Sequence, residues 1–94
     1  MILSLQLQIH LPQSQSLKQK RSVVKSLKDR LRLKFNVSVA EIADLDKWQL
    51  ATLEIAMTAN DQAFLEGQVE KVNAFVDREI AGSGFVTSRE MSLG

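Results

Sequence analysis

The chain has 94 residues, 45% hydrophobic and 24% charged, with a formal net charge of +1 and no cysteine. That length suits a single domain over residues 1–94 with a core that needs no staples, and the absence of Cys excludes a disulfide framework or thiolate metal site and fits a reducing, cytoplasmic setting. No apolar run approaches the roughly 18 residues of a membrane helix, and the opening MILSLQLQIH lacks the basic region of an export signal, so neither a membrane partner nor export is expected.

The first eleven residues alternate. Leu3, Leu5, Leu7, Ile9 and Leu11 fall on one side, and Ser4, Gln6, Gln8 and His10 on the other, which predicts a half-buried strand. Pro12 lacks an N–H and helps to end it. Ser16 then fits a helix N-cap with Gln19 as its capping-box partner. The helix is expected from about Leu17 to Phe35, with Leu17, Val24, Leu27, Leu31 and Phe35 on one apolar stripe.

A second strand is expected in NVSVAEIA, a turn at Asp44–Lys47, and a third strand in WQLATLEIAMTA, opened by Trp48. In that strand Ala51, Leu53, Ile55 and Met57 face the core. Asn60 is the expected cap of a second helix, whose stripe is Leu65, Val69, Val72, Val76 and Ile80. The glycines of Ala81–Gly84 suit its C-cap, and FVTSREMSL reads as the last strand.

The order βαββαβ, with one apolar face per element, gives two layers. It predicts an α+β ferredoxin-like sandwich: a four-stranded antiparallel sheet with both helices on one face. The other face stays open and polar. RNA-recognition motifs stack bases on aromatics of the two central strands of such a face. Here those positions are Gln6, Gln8, Thr52, Glu54 and Ala56, so stacking there is not expected.

Charge is distributed unevenly. Residues 1–40 hold eight basic residues and one acid, Asp29, whereas residues 41–94 hold four basic and ten acidic ones. Lys18, Arg21, Lys25, Lys28 and Arg32 follow spacings of three, four, three and four, which places them within an arc of about 80° on the first helix. Lys20, Arg30 and Lys34 carry charge onto its other faces. Four like-charge neighbours in series cost about 1–2 kcal/mol before screening. A helix that only filled space could avoid this by mixing in Glu. The ridge therefore reads as a surface for phosphates, with Lys18, Lys20, Arg21, Lys25, Lys28 and Arg32 as the contacts and RNA as the partner. A solvated face kept basic for solubility is the plainer alternative.

Other residues carry less. One His and no Cys make no transition-metal site, and no cofactor is expected. Ser14, Ser16, Asp44 and Asp46 lack a base at any recognisable spacing and read as caps and turns. Gly82-Ser83-Gly84 is no phosphate loop. Trp48, the lone Trp, either packs against the first helix or a loop or contacts a partner. The arginine-bearing phosphate loop of acylphosphatases, which share the expected fold, is not visible, so no enzyme is expected.

The stretch Ser14–Glu41, with SLKQKR followed by SLKDRLRLKFNVSVAE, resembles the YlxP-like family of small bacterial proteins. Asp46, Trp48 and Gln49 and the pair Asn60-Asp61 match it as well. The resemblance implies a ferredoxin-like fold. It also implies, through genes that often lie near those for translation and ribosome maturation, a role close to the ribosome or its RNA. It brings no catalytic residues with it. A protein-interaction module or homodimer using the open sheet face or an edge strand is the alternative.

Overall fold

The computed structural model describes all of residues 1–94 and carries six elements: β1 (Ile2–His10), α1 (Leu17–Lys34), β2 (Ser38–Ala43), β3 (Leu50–Thr58), α2 (Gln62–Ile80) and β4 (Phe85–Leu93). The strands form one sheet in the order β2-β3-β1-β4, with every neighbouring pair antiparallel. This is the ferredoxin-like arrangement. No helix is long and apolar enough to cross a membrane.

The alternation in β1 places it at the centre. It pairs with β3 from Ile2 opposite Thr58 to His10 opposite Leu50, and with β4 from Leu3 opposite Leu93 to His10 opposite Phe85. Leu3, Leu5, Leu7, Ile9 and Leu11 are all buried, each worth about 1.5–3 kcal/mol of transfer free energy. Ala51, Leu53, Ile55 and Met57 join them from β3. The buried stripes of α1 and α2 complete one cluster with these residues, so both helices cover the same face of the sheet. Phe75 belongs to the α2 stripe too, and meets Phe35 edge-on at 5.6 Å between ring centroids.

Local signals act largely as expected at the start of α1. Ser16 Oγ accepts from Gln19 N at 3.0 Å. The Gln19 side chain reaches one residue further back than a capping box would, accepting from Gln15 N at 2.6 Å. Several details differ, and β2 starts at Ser38 rather than at Asn36. Phe35 caps α1 rather than ending it, and Asp61, not Asn60, caps α2 by accepting from Ala63 N. Trp48 lies in the loop before β3 rather than opening that strand. No glycine has positive φ, so α2 does not end on a left-handed glycine; Ser83 N and Gly84 N both donate to Ile80 O instead.

Gly84 is required for a different reason. A Cβ there would lie 2.0 Å from the His10 carbonyl oxygen and 2.9 Å from Leu11 Cδ2. Gly67, inside α2, has nothing within 4 Å of the same position. Gly84→Ala should therefore cost at least the ~1–3 kcal/mol of overpacking. Gly67→Ala should stabilise by about 0.5–1 kcal/mol through helix propensity. Urea denaturation of the two variants checks both signs.

Candidate nucleic-acid interface

The flank of α1 that carries the basic ridge overhangs β2, one of the two edge strands. Arg32 shows this directly: its Nη2 donates to the Val39 carbonyl at 2.7 Å. Lys18, Arg21, Lys25 and Arg32 are exposed and Lys28 is half-buried. Lys18, Arg21 and Lys28 make no ion pair and no side-chain hydrogen bond. Lys25 Nζ lies 2.7 Å from Asp29 Oδ2, and Arg32 Nη1 3.5 Å from Asp29 Oδ1. The Lys25 hydrogen bond holds the Asp29 carboxyl below its ordinary range against the cost of desolvation, and Lys25, Arg32 and Lys28 each add a lesser Coulombic attraction. The one acid in the ridge is thus surrounded by its cations.

The remaining cations of α1 face elsewhere. Arg30 pairs with Glu79 of α2 at 2.7 Å, and Lys34 Nζ sits 5.2 Å from the centroid of the Phe75 ring. They tie the two helices together and do not extend the ridge.

Lys20 corrects the sequence reading. It is 0% exposed and cannot touch a phosphate. Its Nζ lies 2.8 Å from Glu41 Oε2 and donates to the Asp44 carbonyl at 2.5 Å. Glu41 Oε2 is buried with no hydrogen-bond partner, so the ammonium balances its charge by proximity and not through hydrogen-bond geometry. The signal was present in the chain. Lys20 lies at helical spacing from Val24, Leu27 and Leu31, on the buried stripe, and Glu41 follows Val39 by two on the buried face of β2.

Asp44 occupies the turn after β2 with φ +62°, where Asp is tolerated. While its carbonyl holds Lys20, its carboxylate accepts from Thr52 Oγ1 at 2.7 Å and lies 3.2 Å from Lys47 Nζ. That contact explains why Thr52, on the outward side of β3, is buried. Gln49 fixes the other end of the loop. Its Nε2 donates to the carbonyls of Pro12 and Ser14, and Leu11 N donates to the Gln49 carbonyl.

The loop holds Trp48 in the open, 54% exposed, neither packed under the first helix nor buried in the loop. The open face is polar along its centre, where Glu54 and Glu90 flank Gln6 and Ser4 Oγ donates to Glu54 at 2.6 Å. No group of three or more His, Cys, Asp or Glu gathers where a metal could be held. A cavity of about 340 Å³ by the start of α1 is lined by Leu11, Gln13, Ser14, Gln19, Ser22, Val23 and Ser83, with no ionisable group among them.

These features define a small ferredoxin-like α+β domain with a cationic helix flank over one sheet edge. Residues 2–87 match the family described as protein of unknown function (DUF503), and the chain belongs to that family. It is also 40% identical over 62 residues to the uncharacterised protein YlxP of Bacillus subtilis (strain 168), an overlap covering 66% of this chain and 67% of the relative.

Lys20→Met alone leaves Glu41 buried and uncompensated and should cost about 3–5 kcal/mol, whereas Lys20→Met with Glu41→Leu should recover most of it. Equal losses in single and double variants, by urea denaturation, would contradict this. A second expectation concerns acid. The Thr52 hydrogen bond, then that of Lys47, hold the Asp44 carboxyl below its ordinary value of 3.8, against desolvation. A folded-state value below the unfolded one adds stability that is full above the unfolded value and lost as pH falls through the folded one. Thr52→Val removes the largest cause, so its stability should fall less than the parent's between about pH 4 and pH 2.

Proposed function

We propose that this protein is a non-enzymatic accessory protein of the bacterial cytoplasm that binds RNA, in the setting of ribosome maturation or translation, through the flank of α1. The observation that supports this reading is the unpartnered charge of Lys18, Arg21 and Lys28, flanked by Lys25 and Arg32, on one solvent-facing side of a long helix. Cations so placed repel one another and lose that cost when phosphates lie between them. Lysines and arginines at helical spacing read backbone and shape, not base sequence. The ribosomal setting rests on the family's gene associations.

A second reading, a protein-interaction module or homodimer, has its own support. Met91 and Leu93 of the edge strand β4, about half exposed, share the side of the sheet that carries the helices and offer a small apolar patch there. Light scattering across salt tests it: a salt-insensitive dimer would favour this reading.

Binding to ribosomal subunits and to a structured ribosomal RNA fragment, followed across a salt series, tests the first. With three to five phosphates neutralised, the log–log slope should be roughly −2 to −4.5. Arg21→Glu with Lys28→Glu should abolish binding while leaving the urea midpoint nearly unchanged. Asp29→Asn, which releases Lys25 and Arg32, should tighten binding and steepen the slope by about one unit. Unchanged affinity in the double reversal would refute the proposal.

A further inference from the structure

The open sheet face changes character towards one end. His10, at the end of β1, lies opposite Phe85, at the start of β4, and their rings stack at 5.4 Å and 18°. Phe85 is 53% exposed. Beside His10, an open depression of about 460 Å³ is lined by His10, Lys47, Trp48, Gln49 and Leu50. Three aromatic side chains, from a strand end, a strand start and a loop, thus gather where the central-strand positions Gln6, Gln8, Thr52, Glu54 and Ala56 offer none.

Building on the RNA-binding reading, we infer that this depression takes one unpaired nucleobase of a single-stranded RNA whose phosphates follow the α1 flank, with Trp48 as the stacking surface. Size, chemistry and position agree on this occupant. The depression is open and leaves room for one flat ring beside the indole. An exposed indole beside a lysine suits a flat ring attached to an anion. Gln49 spends its Nε2 on Pro12 and Ser14 and keeps an unpartnered Oε1, an acceptor for the amino edge of a base.

The connection to the ridge is direct. Asp44 holds Lys20, which lies between Lys18 and Arg21 in the chain, and its carboxylate holds Lys47, next to Trp48. The loop that presents the indole is thus tethered to the N-terminal part of α1, and the inferred RNA strand runs from that end of the ridge to the loop. Glu54 and Glu90 confine it there. They flank Gln6, four residues or about 13 Å along β1 from His10, and repel phosphates from the centre of the face. The same two acids oppose self-docking, because a second copy laid face to face would set carboxylate against carboxylate.

Trp48 is the lone Trp, so its emission reports the site without a label. The probes are a ten-nucleotide single-stranded RNA of mixed sequence, the same RNA annealed as a duplex, and inorganic polyphosphate, which has charge but no bases. The single strand should quench Trp48, while duplex and polyphosphate bind without doing so. Trp48→Ala should weaken single-strand binding by roughly five- to a hundredfold, one lost base stack. It should do so by the same factor at every salt concentration, leaving the slope and the affinity for polyphosphate unchanged. Trp48→Phe should keep most of the affinity. Single-strand binding that is salt-dependent, lost in Arg21→Glu/Lys28→Glu and indifferent to Trp48→Ala would overturn the stacking site and leave the α1 reading standing. No polyanion binding at low salt would remove both. A Trp48→Ala variant that alters only the mass in solution would assign the platform to a second copy of the chain and overturn the inference.

Discussion

The ammonium of Lys20 is the point on which three parts of this molecule converge. It arrives from α1, meets Glu41 on β2 and donates a hydrogen bond to the Asp44 carbonyl in the following turn. Taking two charges out of water costs several kcal/mol per ion, so the pair is weak support for stability as such. What it supplies is position. With the ammonium in place, α1 lies at a fixed azimuth over the edge strand, its outward flank is decided, and the loop with Trp48 has one anchored end. Gln49 supplies the other anchor through Pro12 and Ser14.

Periodicity made most of the fold legible. The alternating leucines of β1, the stripe of α2 and the outward and inward sets of β3 stand in the structure as read. What periodicity could not supply was cross-element pairing. By charge Lys20 reads as one more cation of the helix, whereas its helical phase places it with Val24, Leu27 and Leu31. Glu41 could be matched to it only once α1 and β2 were known to touch. The aromatic end of the open face was hidden for a related reason. His10, Trp48 and Phe85 are far apart in the chain, and only the register of β1 against both neighbours brings them to one end. The N-cap of α2 differs from the expectation by one residue: Asn60 and Asp61 are both good N-caps, and local sequence does not choose between them.

The ridge itself is a compromise between repulsion and use. Asp29 sits among three of its cations, Lys25, Lys28 and Arg32, and is close enough to Lys25 and Arg32 to hold both. Arg32 is further occupied by the Val39 carbonyl. The C-terminal half of the ridge is thereby partly self-neutralised, whereas Lys18 and Arg21 at the N-terminal end are not. The helix dipole adds its positive end there, and no acid occupies the first turn. The unneutralised cations and the positive end of the helix dipole therefore coincide at the end of α1 that Lys20 ties to the Trp48 loop.

The register of β1 also has a consequence for the order in which the chain can be assembled. Its partners on either edge lie far away: Leu3 meets Met57 on one side and Leu93 on the other. Contacts of such long span close slowly, and a chain emerging from its N-terminus presents β1 long before either partner exists. Through that interval five alternating apolar side chains and two open hydrogen-bonding edges are available to any neighbouring strand. The segment that emerges next is the most highly charged and single-signed of the chain. Like charges in that segment repel between chains, so the residues that follow β1 oppose its self-association before α1 forms and covers it.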